Sequence, residues 1–195
     1  MRFNSKTLLT LSLCCVSILK AYSQAGFYLT NDINVQTDAN PSNKSISYPP
    51  LAYAVLNNVM YFSANDGTHG NELWSSDGTP GGTHIVKNLE SGAGSSNPEQ
   101  IIVAGNKLFF ITNNQTSYGQ RLWCSDGTAK GTLLLKDSLF YSSPSMLTNV
   151  NGEVYFFLSN YPQLWKTDGT VHNTVMVKDF GNSAYSPYYL TPANG

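Results

Sequence analysis

The chain has 195 residues, a formal net charge of −1 and three cysteines. Its Tyr, Phe, Val and Leu content excludes general disorder. Without residues 1–23 it keeps eight basic and twelve acidic residues, about four net negative charges. That balance disfavours a nucleic-acid partner, because such binding needs a basic patch.

The N-terminal segment 1–23 is typical of a secretory signal peptide. Arg2 and Lys6 precede an apolar run over residues 8–19, and Ala21 and Ser23 follow with the small-residue spacing of a cleavage site. The run is too short to cross a bilayer and no second one occurs, so no transmembrane segment is expected. We predict cleavage after Ser23 and a location outside the cell or in its envelope.

Only Cys124 lies beyond this segment. A lipid anchor on Cys14 or Cys15 is the weaker alternative, because a leucine and a cysteine precede them where a small residue is expected. A single remaining cysteine forms no intramolecular disulfide and no cysteine-based zinc site. Cys124 follows Trp123 in a predicted strand, so we expect it to be packed rather than reactive.

A seven-residue signature, Leu-Trp-x-x-Asp-Gly-Thr, occurs three times, and its tryptophans are 49 and 42 residues apart. Each copy is followed by a threonine, an apolar pair and a lysine. The repeated residues are Trp74, Asp77, Gly78 and Thr79, then Trp123, Asp126, Gly127 and Thr128, then Trp165, Asp168, Gly169 and Thr170. A fixed spacing of this size indicates a repeat architecture.

The repeat divides into units at about 50–97, 98–143 and 144–186, with the start of a further unit at 187–195. Each unit begins at a proline, contains a Gly/Asn turn eight residues later, and has only short β-type segments. A lone strand at about 27–34 resembles the end of a preceding unit. This pattern predicts an all-β, β-propeller-like array of four-stranded antiparallel blades over residues 24–195. We expect an incomplete ring, the N-terminal fragment of a longer protein.

The strands within a unit are separated by turns. First strands are expected at 101–104 and 146–150, second strands at 107–112 and 153–158, and fourth strands at 133–136 and 175–178. The Leu-Trp segment is the third strand. Consecutive apolar residues in the second strands indicate that both faces of each sheet are covered, and adjacent blades are expected to cover them.

The first copy, ELWSSDGT, resembles the ELWxxDGT repeat proteins, and the likeness extends over residues 28–195. It is looser where Arg121 and Gln163 replace the glutamate, and where Asn173 replaces Gly82 and Gly131. The resemblance implies a secreted bacterial repeat protein with a propeller-like fold, in some members sorted by a C-terminal signal. It implies no catalytic activity.

The repeated aspartates have two interpretations. A calcium ligand or catalytic carboxylate needs several oxygens converging in one loop, and each loop here offers one aspartate. The favoured alternative is a turn in which Asp accepts a hydrogen bond from the amide two residues on, Gly takes a positive φ and Thr restarts the strand. No metal or other cofactor is predicted. The tryptophans are predicted to pack between blades rather than to stack on sugars.

The histidines and repeated lysines have unremarkable interpretations. His69, His84 and His172 share no repeated position and are expected to be loop or strand residues rather than metal ligands. The recurring lysines are expected to be solvated at a strand edge; they are Lys87, Lys136 and Lys178.

The strand order predicts two different ends for the array. The signature loops share one end with the first-to-second turns, and the longer, more variable loops lie at the other, where binding usually resides. Aromatic residues there could contact an extracellular glycan or protein, although local packing is the favoured reading. They are Tyr118, Phe140, Tyr141, Tyr161 and Tyr185.

These observations predict a secreted, non-catalytic repeat module for adhesion or recognition at or outside the cell envelope. The alternative is the binding part of an extracellular carbohydrate-active enzyme whose catalytic residues are not in this chain. No nucleophile-elbow, phosphate-loop or HExxH pattern occurs.

Overall fold

A computed structural model describes residues 19–21, 27–29, 53–113, 119–139, 147–158, 162–181 and 190. Over these residues the regular structure is entirely β, with no helix and hence none long and apolar enough to cross a membrane. Strand β1 (Leu19–Ala21) pairs antiparallel with β2 (Phe27–Leu29). The predicted lone strand is thus seen at 27–29, paired with part of the predicted signal peptide rather than with a four-stranded sheet.

Three four-stranded antiparallel sheets follow, each with its strands in chain order. The first contains β3 (Tyr53–Leu56), β4 (Val59–Asn65), β5 (Asn71–Ser76) and β6 (His84–Lys87). The second contains β7 (Glu99–Ala104), β8 (Lys107–Asn113), β9 (Gln120–Ser125) and β10 (Leu133–Leu139). The third contains β11 (Thr148–Val150), β12 (Glu153–Leu158), β13 (Gln163–Thr167) and β14 (Val175–Asp179). The predicted strand assignment is confirmed to within a few residues.

Tight turns join the first and second strands of each sheet. Asn57 and Asn58 both have positive φ, of 53° and 63°. Asn151 and Gly152 repeat this with φ of 52° and 91°. Two central residues with positive φ form the hairpin turn whose twist matches that of the flanking strands, and Asn and Gly adopt it most readily.

A bulge recurs at one position between the third and fourth strands. Leu73 pairs with Lys87 and Trp74 with Ile85, so Val86 is the extra residue. Leu135 and Val177 hold the same place in the second and third sheets. A bulge re-aims side chains at the edge of a sheet. The apolar pair and lysine after each signature are therefore the bulged fourth strand.

The core lies between consecutive sheets. Tyr61 and Leu73 of the first sheet pack with Leu108, Phe110 and Trp123 of the second in one buried cluster. The opposite face of the second sheet packs against the third in another cluster, which includes Phe109, Leu122, Phe156 and Leu158. Both faces of the second sheet are thus covered by neighbouring sheets, as its consecutive apolar residues predict.

The loops fall at two ends, as the strand order predicts. The loop at residues 66–70 lies against the connector between the first two sheets, where Asn71 accepts backbone hydrogen bonds from Ser96 and Asn97 at 3.0 and 3.1 Å. At the other end, Tyr61 of the first sheet reaches Gly127 in the signature loop of the second. In the first sheet, the signature loop is therefore separated from the loop at residues 66–70 by the length of β5.

Candidate functional site

The aspartate of each signature closes a local turn. Asp77 Oδ1 accepts hydrogen bonds from the amide and the hydroxyl of Thr79 at 2.8 and 2.7 Å. The same two bonds join Asp126 to Thr128 and Asp168 to Thr170, at 2.7 to 2.9 Å. The glycine between them has φ near 90° in all three loops. Each carboxylate is thus occupied by its own loop.

The signature threonine does not restart the strand, so that expectation is wrong. Strand β6 begins at His84, five residues after Thr79. Thr79 stays inside the loop because its hydroxyl both donates to Asp77 and accepts from the amide of Gly82 at 3.0 Å. It is the second threonine, Thr83, that stands directly before the strand.

A chain of hydroxyl groups ties this second threonine to the loop. Thr83 Oγ1 donates to the Thr79 carbonyl at 2.8 Å and lies 2.7 Å from Ser76 Oγ. Since a hydroxyl has one proton, Ser76 must donate to Thr83, and Ser76 Oγ accepts from the amide of Gly78. The second and third sheets repeat the chain through Ser125 with Thr132, and Thr167 with Thr174. The direction of each bond is therefore fixed.

The glycine before the second threonine is required by the carboxylate. A Cβ on Gly131 would overlap the Asp126 carboxylate, and one on Gly82 would overlap that of Asp77. In the third loop this position is Asn173, whose Nδ2 donates to Asp168 Oδ2 at 2.5 Å. The asparagine compensates for its added bulk with a hydrogen bond to the same carboxylate.

These contacts determine the electrostatics of the loops. Hydrogen bonds from Thr128 lower the pKa of Asp126, and bonds from Asn173 and then Thr170 lower the pKa of Asp168. Both carboxylates are thus held ionised. Across the described part of the chain, no three His, Cys, Asp or Glu side chains lie together in a way that could hold a metal ion.

The residue before Leu-Trp makes a polar contact with the fourth strand, or with the connector after it, in every sheet. Glu72 is fully buried and accepts hydrogen bonds from Leu89 N, Glu90 N, and the amide and hydroxyl of Ser96, at 2.6 to 3.3 Å. Burial raises the pKa of its carboxyl group. Arg121 binds Asp137 and Glu90, and Gln163 binds Asp179. Glu72 thus binds the connector after β6, whereas Arg121 and Gln163 bind acidic residues of the fourth strands β10 and β14. The change from Glu to Arg or Gln alters both the partner and its place in the sheet.

The tryptophans pack as predicted where the described residues show their surroundings. Trp123 stacks on Phe110, is 9% exposed, and donates from Nε1 to Thr112 at 2.9 Å. Trp165 stacks on Phe156 and packs against the cluster shared with the second sheet. A sugar has no open ring face at Trp123.

Trp74 differs from Trp123 in its indole nitrogen. Its Nε1 is buried and has no hydrogen-bond partner among the described residues. Ala64 occupies the strand position that Thr112 holds in the second sheet, since Phe62 pairs with Trp74 as Phe110 pairs with Trp123. The first sheet therefore lacks the hydroxyl that accepts this proton in the second.

Two of the three lysines are not simply solvated, which corrects that expectation. Lys87 Nζ donates to the carbonyl of Thr132 in the next sheet at 2.8 Å and lies 6.0 Å from the centre of the Trp123 ring. Lys136 Nζ lies 4.6 Å from the centre of the Trp165 ring, within cation–π range. Lys178 alone is exposed.

Cys124 is packed, as expected. It is 3% exposed. Its side chain and that of Lys107 pack against Gly169 of the third sheet, in the space that a Cβ on this glycine would need. Burial raises the pKa of the thiol to about 11, so the reactive thiolate is scarce. Cys124 thus serves the contact between sheets.

The described histidines are loop or strand residues. His69 Nδ1 lies 2.6 Å from Asp66 Oδ2, a pairing the sequence did not indicate. His84 opens β6 and contacts Ser75 Oγ at 3.3 Å. His172 is exposed in the third signature loop.

The five aromatic residues predicted to contact a ligand lie outside the described residues. They are Tyr118, Phe140, Tyr141, Tyr161 and Tyr185. They remain predictions. Of the predicted site residues, the structure brings together those of each signature. The hydrogen bonds of the signature aspartates are made within their own loops.

No protein-family model, characterised protein or solved structure matches this chain.

Proposed function

We propose that this chain is a secreted, non-catalytic repeat module of the ELWxxDGT type that serves adhesion or recognition at or outside the cell envelope. Its sheets would stand as the blades of a β-propeller-like array. Support for this arrangement comes from the order of the strands within each sheet and from the packing of one sheet face on the next.

The hydrogen bonds among the signature residues carry the proposal. In three copies the aspartate, both threonines and the preceding hydroxyl bind one another. Residues whose hydrogen-bonding groups are used within their own turn are suited to stabilising a scaffold. Ligand binding on such scaffolds usually resides in variable loops. The candidate surface is therefore the end opposite the signature loops.

A glycan array probed with the secreted protein tests this. We expect binding that Tyr118→Ala and Tyr141→Ala each weaken, whereas Lys130→Ala, in a signature loop at the other end, leaves it unchanged. Equal loss in all three variants would contradict the placement of the surface. Turnover of a bound glycan would instead support the binding part of a carbohydrate-active enzyme, and absence of glycan binding would leave a protein partner to be sought.

A further inference from the structure

We propose that the outer face of the third sheet is a docking surface for one further four-stranded unit of the same repeat type. The occupant is a sheet that presents a Leu-Trp face and a signature loop. The inference concerns packing between sheets and holds whether or not the protein binds a glycan.

The bulged residue of the fourth strand is covered in two of the sheets and exposed in the third. Val86 and Leu135, the bulged residues of the first two sheets, are 6% and 5% exposed because the following sheet covers them. Val177 occupies the same place in the third sheet and is 48% exposed. The third sheet thus repeats at Val177 an apolar position that is covered in the other two.

The lysine that ends each signature repeat contacts the following sheet in the first two sheets. Lys87 and Lys136 each reach the tryptophan of the following sheet, and Lys87 also donates to the Thr132 carbonyl. Lys178 pairs with Leu164 as the other two lysines pair with their leucines. It is therefore placed to meet an indole ring and a backbone carbonyl on an arriving sheet, which a generic apolar partner does not offer together.

Side chains of the first and second sheets also contact the signature loop of the sheet that follows. Tyr61 lies against Gly127 of the next loop, and Cys124 with Lys107 lies against Gly169. Phe62, Phe110 and Phe156 each pair with the tryptophan of their own sheet, so they mark equivalent positions. Counted from them, Tyr155 corresponds to Tyr61, Lys166 to Cys124 and Glu153 to Lys107. Lys166 and Tyr155 bind Glu153 at 3.0 and 3.1 Å and are half-buried. They form a polar rim that an incoming Asp-Gly turn can contact through its backbone.

The test supplies the occupant by extending the protein. A copy of residues 107–143 is fused after Gly195, which completes a fourth unit because residues 190–195 repeat the pattern of 147–152. Hydrogen exchange of β14 is then compared in the 195-residue and extended chains. We expect exchange in the extended chain to slow by about tenfold or more as the strand becomes covered.

Two variants make the test specific. We expect Lys178→Met to lower the denaturant midpoint of the extended chain and to leave that of the 195-residue chain unchanged. Lys136→Met, which removes the contact with Trp165, is expected to lower the midpoint of both chains. Replacing the tryptophan of the appended copy by alanine should abolish the effect of Lys178→Met. If Lys178→Met changes the denaturant midpoint equally in both chains, the proposal is overturned. It is also overturned if the amides of β14 exchange at the same rate in both chains, whether the appended unit is itself unprotected or is folded without contacting β14.

A second copy of the chain is the competing occupant. Sedimentation of the 195-residue protein over a range of concentrations distinguishes it. A protein that stays monomeric supports the proposal. Self-association that Val177→Asp abolishes would assign the face to another copy of the chain and would overturn docking of a further unit.

Discussion

Replacing Gly131 by alanine tests whether the carboxylate turn stabilises the fold. The new Cβ overlaps the Asp126 carboxylate, which must rotate away and lose its bonds to the amide and hydroxyl of Thr128. Hydrogen bonds to a charged group contribute about 1.5 to 3 kcal/mol each when buried, and those of an exposed carboxylate fall below that range. We therefore expect Gly131→Ala to lower the free energy of unfolding by about 1 to 3 kcal/mol.

Gly131→Asn is the matched control because the third sheet carries asparagine at this position. Asn173 donates to Asp168, so an asparagine at position 131 can regain one bond to Asp126. The expected loss is about half that of alanine, although asparagine adds more atoms. Urea unfolding followed by tryptophan fluorescence measures both. Equal losses would refute compensation by the amide, and no loss with alanine would refute the contribution of the turn.

Four further outcomes are expected. Glu72→Gln should cost about 1 to 3 kcal/mol in urea unfolding, because its NH₂ group would face buried N–H donors. Glu153→Gln, at a partly exposed carboxylate paired with Lys166, should cost under about 1 kcal/mol. Ala64→Ser should gain about 1 kcal/mol if its hydroxyl accepts from Trp74; an unchanged midpoint would contradict this. Iodoacetamide should modify Cys124 only after unfolding, as peptide mass spectrometry can detect. The pKa values of Asp126 and Asp168 are lowered in the folded state, so the stabilisation they provide is present above pH 3.8 and is lost as pH falls further. A variant with both aspartates replaced by asparagine should therefore lose less stability on acidification. An unchanged dependence of stability on pH would contradict the assignment.

The strands were predictable from the sequence because each is bounded by a turn with distinctive residues. The Asn-Asn and Asn-Gly pairs mark hairpins, and the Asp-Gly pair marks the loop before the fourth strand. The roles of the lysines were not predictable. A lysine at a strand end is solvated unless a bulge turns it toward a neighbour, and a bulge depends on the pairing partner rather than on local sequence.

The position before Leu-Trp shows the same limit more sharply. Glu72, Arg121 and Gln163 differ in charge, so the sequence suggests a weakening repeat. Each binds a partner 16 or more residues away, which lies in the connector after β6 for Glu72 and in the fourth strand for Arg121 and Gln163. The sequence did contain a signal for these partners. In the units with Arg121 and Gln163, the lysine of the fourth strand is followed directly by an aspartate. In the unit with Glu72, Lys87 is followed by an asparagine.

The contacts between sheets have a consequence for how such a chain can evolve. Lys87 binds a backbone carbonyl of the next sheet, and Tyr61 and Cys124 rest on glycines of the next loops. Contacts of this kind depend on main-chain atoms, a glycine and one tryptophan of the neighbour, whereas the apolar clusters and the Arg121–Glu90 pair need matched side chains. A unit that is duplicated or exchanged by recombination therefore keeps the first kind of contact unchanged, and selection has only the side chains between sheets left to adjust.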